Sequence, residues 1–444
     1  MPGFYLPSSE EFDPGQDDFV SPFVTKERQY RHFDLPLSQS DRSRAYDFSH
    51  EDKPHRFYPL LGYTDVVRRI SRDASGKVVK SVKKRPIKFA SHSDAAYLQA
   101  YAAHLNQMYE RALQADNTAS SVLAYRKGGS TNVHHAKALF DEIVVRGDCE
   151  VFCVDIKGFF DSLDHLHLRE ELLSLVGRDR LSGHDWTVFN SMTRFSWVET
   201  DDLDRLLGRK RQRRGRVCSP ADFNDHVRTR SKGLIITHDL DCGIPQGTPI
   251  SGLYANIYMR SLDRRFTEMA NAVGGSYRRY SDDIALILPG GVRKRHVVAI
   301  VEKVLADFHL TLSTEKTDYA KFEHGVLLGE KAIQYLGFTF DGSRTYIRPS
   351  SLDAYRRKMG VGIHAKLVAA KGRGIPSFNV FKRDLLSRYT HMGMGRNFIQ
   401  YAYAASTIMG SDEIRLQVKD HLKWFNSAWD REVTRVYGGL VTSE

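Results

Sequence analysis

The sequence predicts an α+β fold, on three observations. Residues 277–288 are built like a β-hairpin, with Tyr280-Ser281-Asp282-Asp283 at the turn and the aliphatic run Ile284-Ala285-Leu286-Ile287-Leu288 closed by Pro289-Gly290-Gly291. Residues 151–155 form a second apolar strand, ending on Asp155 and followed by a turn at Gly158. Between 94 and 115, Ala95, Leu98, Ala102, Leu105, Met108 and Leu113 recur at helical spacing.

Taken in order, the chain divides into six stretches. Residues 1–57 are polar and Pro-containing, with Glu10, Glu11, Asp13, Asp17 and Asp18 before Lys26, Arg28 and Arg31, an extension expected to wrap the body. Residues 58–147 carry the predicted helix. Residues 148–167 hold the Asp155 strand, a turn and a helix starting near Leu163, with Asp161 and Asp164 read as helix-start charges or caps. Residues 168–238 are a long insertion containing Arg209-Lys210-Arg211-Gln212-Arg213-Arg214-Gly215-Arg216, a credible phosphate-binding arm with six basic residues in eight. Residues 239–343 bring a breaker-rich loop, the hairpin and an amphipathic helix from 294 to 309. Residues 344–444 are helical in pattern and basic, with Lys358, Lys366, Lys371, Arg373 and Lys382 as candidate contacts to a nucleic-acid backbone.

Composition fits a polyanion partner. The 444 residues contain 65 Lys and Arg against 54 Asp and Glu, a formal charge of +11 and a pI near 9.3. No apolar run is long enough for a bilayer, and the amino terminus lacks the blocks of a signal peptide. The four cysteines have no paired spacing, which suits a reducing cytoplasm and argues against a zinc site.

The chemistry follows from the carboxylates. Two adjacent acids at a core hairpin need a compensating cation, and hard divalent ions bound by carboxylate oxygens supply one. Asp155, on a separate strand, and Asp282 are the natural bridging pair for two-metal phosphoryl transfer. Backbone N–H groups near Gly158 and Phe159 are expected to face phosphate oxygens, and Phe160 to press beneath an incoming sugar, excluding a 2′-hydroxyl. Gln246, in Gly243-Ile244-Pro245-Gln246-Gly247, offers an amide to sugar or phosphate on a loop whose glycines allow close approach. Lys316 is placed to protonate a pyrophosphate leaving group. Phe195, Trp197, Trp424, Phe425 and Trp429 are read as core, and His134-His135 as helix surface.

In order and spacing these segments resemble the palm motifs of reverse transcriptases. Residues 155–160 look like motif A, 243–247 like motif B, 280–283 like motif C, and Lys316 falls in motif D. Gln334-Tyr335-Leu336-Gly337-Phe338 is similar to the hairpin that grips the primer. Arg85-Pro86-Ile87-Lys88 and residues 124–131 resemble two finger motifs. The resemblance implies a right-hand polymerase, with fingers at 58–147 and 168–238, a palm with an antiparallel sheet at 148–167 and 239–343, and a helical thumb at 344–444. It implies that Asp155 and Asp282 bind two Mg2+ ions, replaceable by Mn2+, with Ile156 in the ligand set and Asp283 binding one weakly or supporting the turn. Arg85, Lys88 and Arg126 would hold the dNTP triphosphate.

Departures narrow the resemblance. Ser281 stands where alanine is common. Retron signatures, a maturase or endonuclease module, and room for an integrase or RNase H are not evident. The best likeness is to freestanding, defence-associated bacterial enzymes that copy a structured noncoding RNA into DNA. Two other readings stay open: protein-primed or untemplated DNA synthesis, with Tyr5, Tyr30 or Tyr46 as primer, and a non-catalytic RNA-binding protein.

Overall fold

The computed structural model describes residues 30–42, 55–72, 78–126, 128–181, 183–208, 214–229, 233–329, 331–393 and 397–438. At its centre is a five-stranded sheet, antiparallel throughout, in the order Val326–Leu328, Asp318–Glu323, Cys149–Asp155, Asp283–Pro289, Ser276–Tyr280. This is the α+β arrangement the sequence predicts. The two middle strands are buried along nearly their whole length, which explains why they read as unbroken apolar runs rather than alternating ones.

Each face of that sheet has its own cover. Phe152, Val154, Ile284 and Leu286 meet the helices His92–Ala115, Ser251–Tyr258, Arg260–Ala272 and Lys294–Asp307 through Leu105, Tyr109, Tyr254, Phe266 and Val301. Val151, Cys153, Ala285 and Ile287 meet the helix Asn132–Arg146, the small sheet Ile333–Tyr335, Phe338–Phe340, Thr345–Ile347, and the helix Phe398–Met409. Cys149 and Cys153 are therefore core residues.

The segment 168–238 is more than an arm. Its strands Ser196–Glu199 and Ile236–Thr237 complete a four-stranded sheet with Leu60–Arg72 and Val78–Phe89, pairing Leu60 with Trp197 and Gly62 with Glu199 in parallel. Of the basic run, Arg209, Lys210, Arg211 and Arg213 lie outside the described residues, and Arg214 is exposed. Gly215–Arg216 pairs in parallel with Arg31–His32 from the amino-terminal extension. Neighbouring contacts fix that stretch on residues 90–92 and on the insertion: the Tyr30 hydroxyl donates to the Ala90 carbonyl (2.9 Å), Asp34 accepts from the His92 N–H (3.0 Å), and Arg31 pairs with Asp204 (2.6 Å).

The C-terminal region is helical as expected: Pro349–Lys371, Arg383–Tyr389, Phe398–Met409, Asp412–Val418 and His421–Tyr437. Phe425 and Trp429 are core, packed with Met359, Ile363 and Leu367. Three of the five nominated cations are held by the region itself: Lys366 pairs with Asp384, Lys371 donates to the Val436 carbonyl (2.6 Å), and Lys382 lies over Trp429 (4.5 Å). Lys358 and Arg373 are exposed. Among the described residues no helix is long and apolar enough to cross a membrane.

The sheet also fixes one glycine by close approach. A Cβ on Gly275 would sit 2.6 Å from the Ile287 carbonyl oxygen and 2.8 Å from Leu288. Because the first of these is backbone, Gly275→Ala is expected to destabilise the fold by about 1–3 kcal/mol. An unchanged denaturation midpoint would contradict this packing.

Candidate active site

Sheet register brings the acids together. Asp155 is the last residue of its strand and pairs directly with Asp283, while Tyr280 pairs with Asp283 across the hairpin. Ser281 and Asp282 therefore form a two-residue turn, with Ser281 at φ +60°. The Ile156 N–H donates to the Asp282 carbonyl (3.3 Å), so the backbone after Asp155 faces that turn. The Asp155 carbonyl in turn accepts from the Ser313 N–H (2.8 Å), tying in the segment that leads to Lys316. Lys316 ends the single-turn helix Thr314–Lys316, and its side chain lies outside what is described.

Gly158, at φ +59°, turns the chain into the short helix Phe159–Ser162. The Phe159 ring is buried in the core, and Phe160 is half-buried against it, edge to face at 5.4 Å. Asp164 caps the next helix by accepting from the His167 N–H (2.8 Å), as its position predicts. The Gly243–Gly247 loop ties these parts to the strand Val78–Phe89. Ile244 N–H donates to the Phe160 carbonyl (2.9 Å), and Lys88 N–H donates to the Gln246 carbonyl (2.9 Å). Gly247, at φ +125°, has no room for a side chain, since a Cβ would lie 2.8 Å from the Lys88 carbonyl oxygen.

The expected triphosphate cluster of Arg85, Lys88 and Arg126 is not assembled. Arg126 is turned inward, donating to both carboxylate oxygens of Glu110 and to the carbonyls of Ala119 and Val122. Arg85 and Lys88 pair with Asp65 and Gly62, and their odd separation along one strand puts them on opposite faces. Lys88 lies against the insertion: its Nζ sits 4.5 Å from the Trp197 ring centre and 5.3 Å from that of Phe195. Burial lowers its pKa, and the Asp161 and Glu199 carboxylates only partly oppose that. Trp197, read from sequence as core, is half-buried and packed against the core, and one face of its ring meets Lys88.

A polar network beneath the turn had no signal in the local sequence pattern. Arg279 is fully buried and bidentate to the equally buried Asp263 (2.7 and 2.6 Å), and its third nitrogen donates to Asn256 and to the Ser281 carbonyl (each 3.1 Å). Tyr277 adds a bond to Asp263 (2.6 Å). Burial alone would depress the Arg279 pKa, yet the Asp263 carboxylate reverses the shift and keeps the guanidinium charged. On the turn's other side, the Tyr125 hydroxyl lies 3.0 Å from the Ser281 Oγ.

Beside the acids is a cavity of about 640 Å³, lined by Asp155, Tyr280 and Asp283, by Glu315, Asp318 and Lys331, and by residues 334–337. The last group is the tip of the hairpin likened above to a primer grip. Its turn has Leu336 at φ +45° and Gly337 at φ +92°, and Asn132 Nδ2 donates to the Leu336 carbonyl (3.1 Å). The Tyr335 hydroxyl is buried here without a hydrogen-bond partner among the described residues.

The model for the family described as reverse transcriptase (RNA-dependent DNA polymerase) matches residues 77–340, more than half of the 444. The chain belongs to that family. No curated protein sequence matches it. Similar solved structures include apo telomerase from Candida tropicalis truncated from its C-terminal domain, at 12% identity and TM-score 0.40, covering 65% of this chain and 55% of that one. Telomerase from Candida albicans with a fragment of telomeric RNA follows at 13% and 0.38, covering 87% and 67%. The RNA-dependent RNA polymerase of a human picobirnavirus gives 12% and 0.33, covering 64% and 43%. The reverse transcriptase chain thus spans about half the length of the first of these.

Among the described residues, no group of three or more His, Cys, Asp or Glu side chains gathers closely enough to hold a metal by itself. Mg2+ rarely takes an all-protein cage; it is held by one or two carboxylates, waters and substrate phosphates. The hard oxygens at this edge of the sheet, Asp155 opposite Asp283 with Asp282 in the turn, fit that donor set.

The buried pair yields a test in this reverse transcriptase. Arg279→Met leaves Asp263 buried and uncompensated, which should cost about 3–5 kcal/mol of stability. Adding Asp263→Leu should recover much of that loss in denaturant titrations without restoring polymerisation, because the Ser281 carbonyl still lacks its donor. A double variant with wild-type activity would show that the pair does not position the turn.

Proposed function

We propose that this reverse transcriptase copies an RNA template into DNA by two-metal nucleotidyl transfer, with dNTPs as substrates. The observation that carries the reading is the register of Asp155 against Asp283 with Asp282 in the adjoining turn, at the open end of a buried sheet. Asp155, Asp282, Asp283 and the Ile156 backbone would hold two Mg2+ ions, or Mn2+ in their place. Bound there, the ions supply an acidified primer hydroxyl and neutralise phosphate charge. The primer 3′-oxygen forms its bond to the α-phosphorus as the bond to the β-phosphate oxygen breaks. The hydroxyl proton passes to solvent water, and Lys316 is assigned to protonate the departing pyrophosphate.

The chain's own groups divide the remaining work. Phe160, half-buried at the lip of the Gly158 turn, would lie under the sugar, and Gln246 would meet the sugar or phosphate from the facing loop. Lys88 on its aromatic platform is the cation best placed for the triphosphate, since Arg126 is committed to Glu110. We assign 58–147 and 168–238 to fingers, 148–167 and 239–343 to palm, and 344–444 to thumb. A structured noncoding RNA as template, a cytoplasmic setting and a role in antiphage defence rest on the motif resemblance. Priming by Tyr30 is disfavoured, because its hydroxyl donates to the Ala90 carbonyl; Tyr5 and Tyr46 lie outside the described residues.

Primer extension on an RNA template tests this directly. Asp282→Asn should lower the rate by at least about 10²-fold, the scale of removing one preorganised electrostatic interaction, with RNA affinity nearly intact. Extension at the wild-type rate would end the assignment. Phe160→Ala should relax discrimination against ribonucleotides by roughly 10-fold or more in paired dNTP and rNTP assays. Unchanged discrimination would place the gate elsewhere.

A further inference from the structure

The thumb carries two phenylalanines that its core does not use. They lie on the loop between the helices Pro349–Lys371 and Arg383–Tyr389: Phe378 is 57% exposed and Phe381 is 83% exposed. Such exposure of a large aromatic ring departs from the buried fate of Phe425 and Trp429 in the same lobe. The loop is nonetheless anchored. Val380 is buried and Ile375 partly so, both packed into the cluster around Leu367 and Trp429, and the Tyr437 hydroxyl donates to the Ile375 carbonyl (2.8 Å). A one-turn helix, Ser377–Asn379, sits between these anchors. The backbone thus pins residues 375 and 380 inward and presents 378 and 381 outward.

Charge identifies what would cover this surface. Residues 371–383 contain Lys371, Arg373, Lys382 and Arg383 and no carboxylate, and the first acid beyond them, Asp384, is taken by Lys366. Arg373 and Arg383 are exposed. Exposed aromatic faces interleaved with cations match the chemistry of unpaired nucleotides, whose bases stack while their phosphates are neutralised. A purely apolar partner would leave four like charges at its rim.

We propose that residues 373–383 form a docking surface for unpaired RNA on the thumb, separate from the palm acids. The proposal takes RNA rather than single-stranded DNA as its ligand because it rests on the reading that this chain works on an RNA template. Its test is binding, without dNTPs, of a labelled single-stranded oligo(U) to the full chain, compared with a fully paired RNA and with oligo(dT) of equal length. Phe378→Ala with Phe381→Ala should weaken oligo(U) binding by roughly 10- to 100-fold, leave paired RNA unaffected, and leave the salt slope unchanged. Arg373→Gln with Arg383→Gln should instead flatten log K against log salt by roughly 0.7 for each phosphate no longer neutralised. Both pairs are exposed, so the thermal midpoint should hold, and the double phenylalanine variant should still extend a short primer-template.

Equal oligo(U) affinity in the double phenylalanine variant would overturn the proposal. So would an equal loss for paired RNA, an effect confined to oligo(dT), or a shift in oligomeric state with RNA affinity unmoved, which would mark an interface between copies. Wild-type protein that binds oligo(U) through this loop but extends no primer would overturn the polymerase reading and leave this one standing.

Discussion

The buried Asp263–Arg279 pair is the interaction on which the rest of the site depends. Both side chains are fully removed from water, so neither charge is tolerable without the other. Their geometry does more than cancel charge. One guanidinium reaches Asp263, Asn256 and the Ser281 carbonyl, while the Arg279 backbone bonds Ser121 (2.7 Å) and Leu123 (2.9 Å). Asn256 then bonds the Ala124 carbonyl (2.9 Å). The acidic turn, the helices Ser251–Tyr258 and Arg260–Ala272, and the segment 121–124 are thus joined at one point. That bracing also offsets the strain of a non-glycine residue at φ +60°, of order 1–2 kcal/mol, at Ser281.

From that point, order spreads by close backbone approach. Tyr125 lies over Gly252, whose Cβ would fall 2.6 Å from the ring, and its hydroxyl meets Ser281. Gly247 lies equally tight against Lys88, and Lys88 against Trp197 from the insertion. A movement of the strand Val78–Phe89 would therefore be felt in the Gly243–Gly247 loop, which is bonded to the Phe160 carbonyl. The insertion, by supplying Trp197 and Glu199, is built into the sheet that carries Lys88 rather than appended to it.

What the sequence made legible was local. The strands ending at Asp155 and beginning at Asp283 carry their own apolar runs and breakers, so both strands and the α+β class could be read from the chain, whereas their pairing with each other could not. Gly158, Gly243 and Gly247 marked sharp turns because positive φ favours glycine. Asp263 had no such mark; it is one acid on a helix with many charges, and only the fold shows that it is buried against Arg279. Arg126 looked like a phosphate ligand because its partner Glu110 lies 16 residues away on another element. Arg85 and Lys88 were nominated together through the likeness of 85–88 to a finger motif, but strand alternation parts them. Trp197 was read as core because parallel pairing with Leu60 cannot be inferred from a four-residue strand.

The central claim is that sheet register, braced by the Asp263–Arg279 pair, makes Asp155, Asp282 and Asp283 the metal-binding edge of a polymerase. Anomalous diffraction from crystals of the chain with RNA template, DNA primer, a dNTP and Mn2+ tests it most directly. The account predicts manganese peaks between the Asp155 and Asp282 carboxylates, beside the triphosphate and the primer 3′ end. Manganese bound elsewhere, with the nucleotide in place and no peak at those carboxylates, would contradict it.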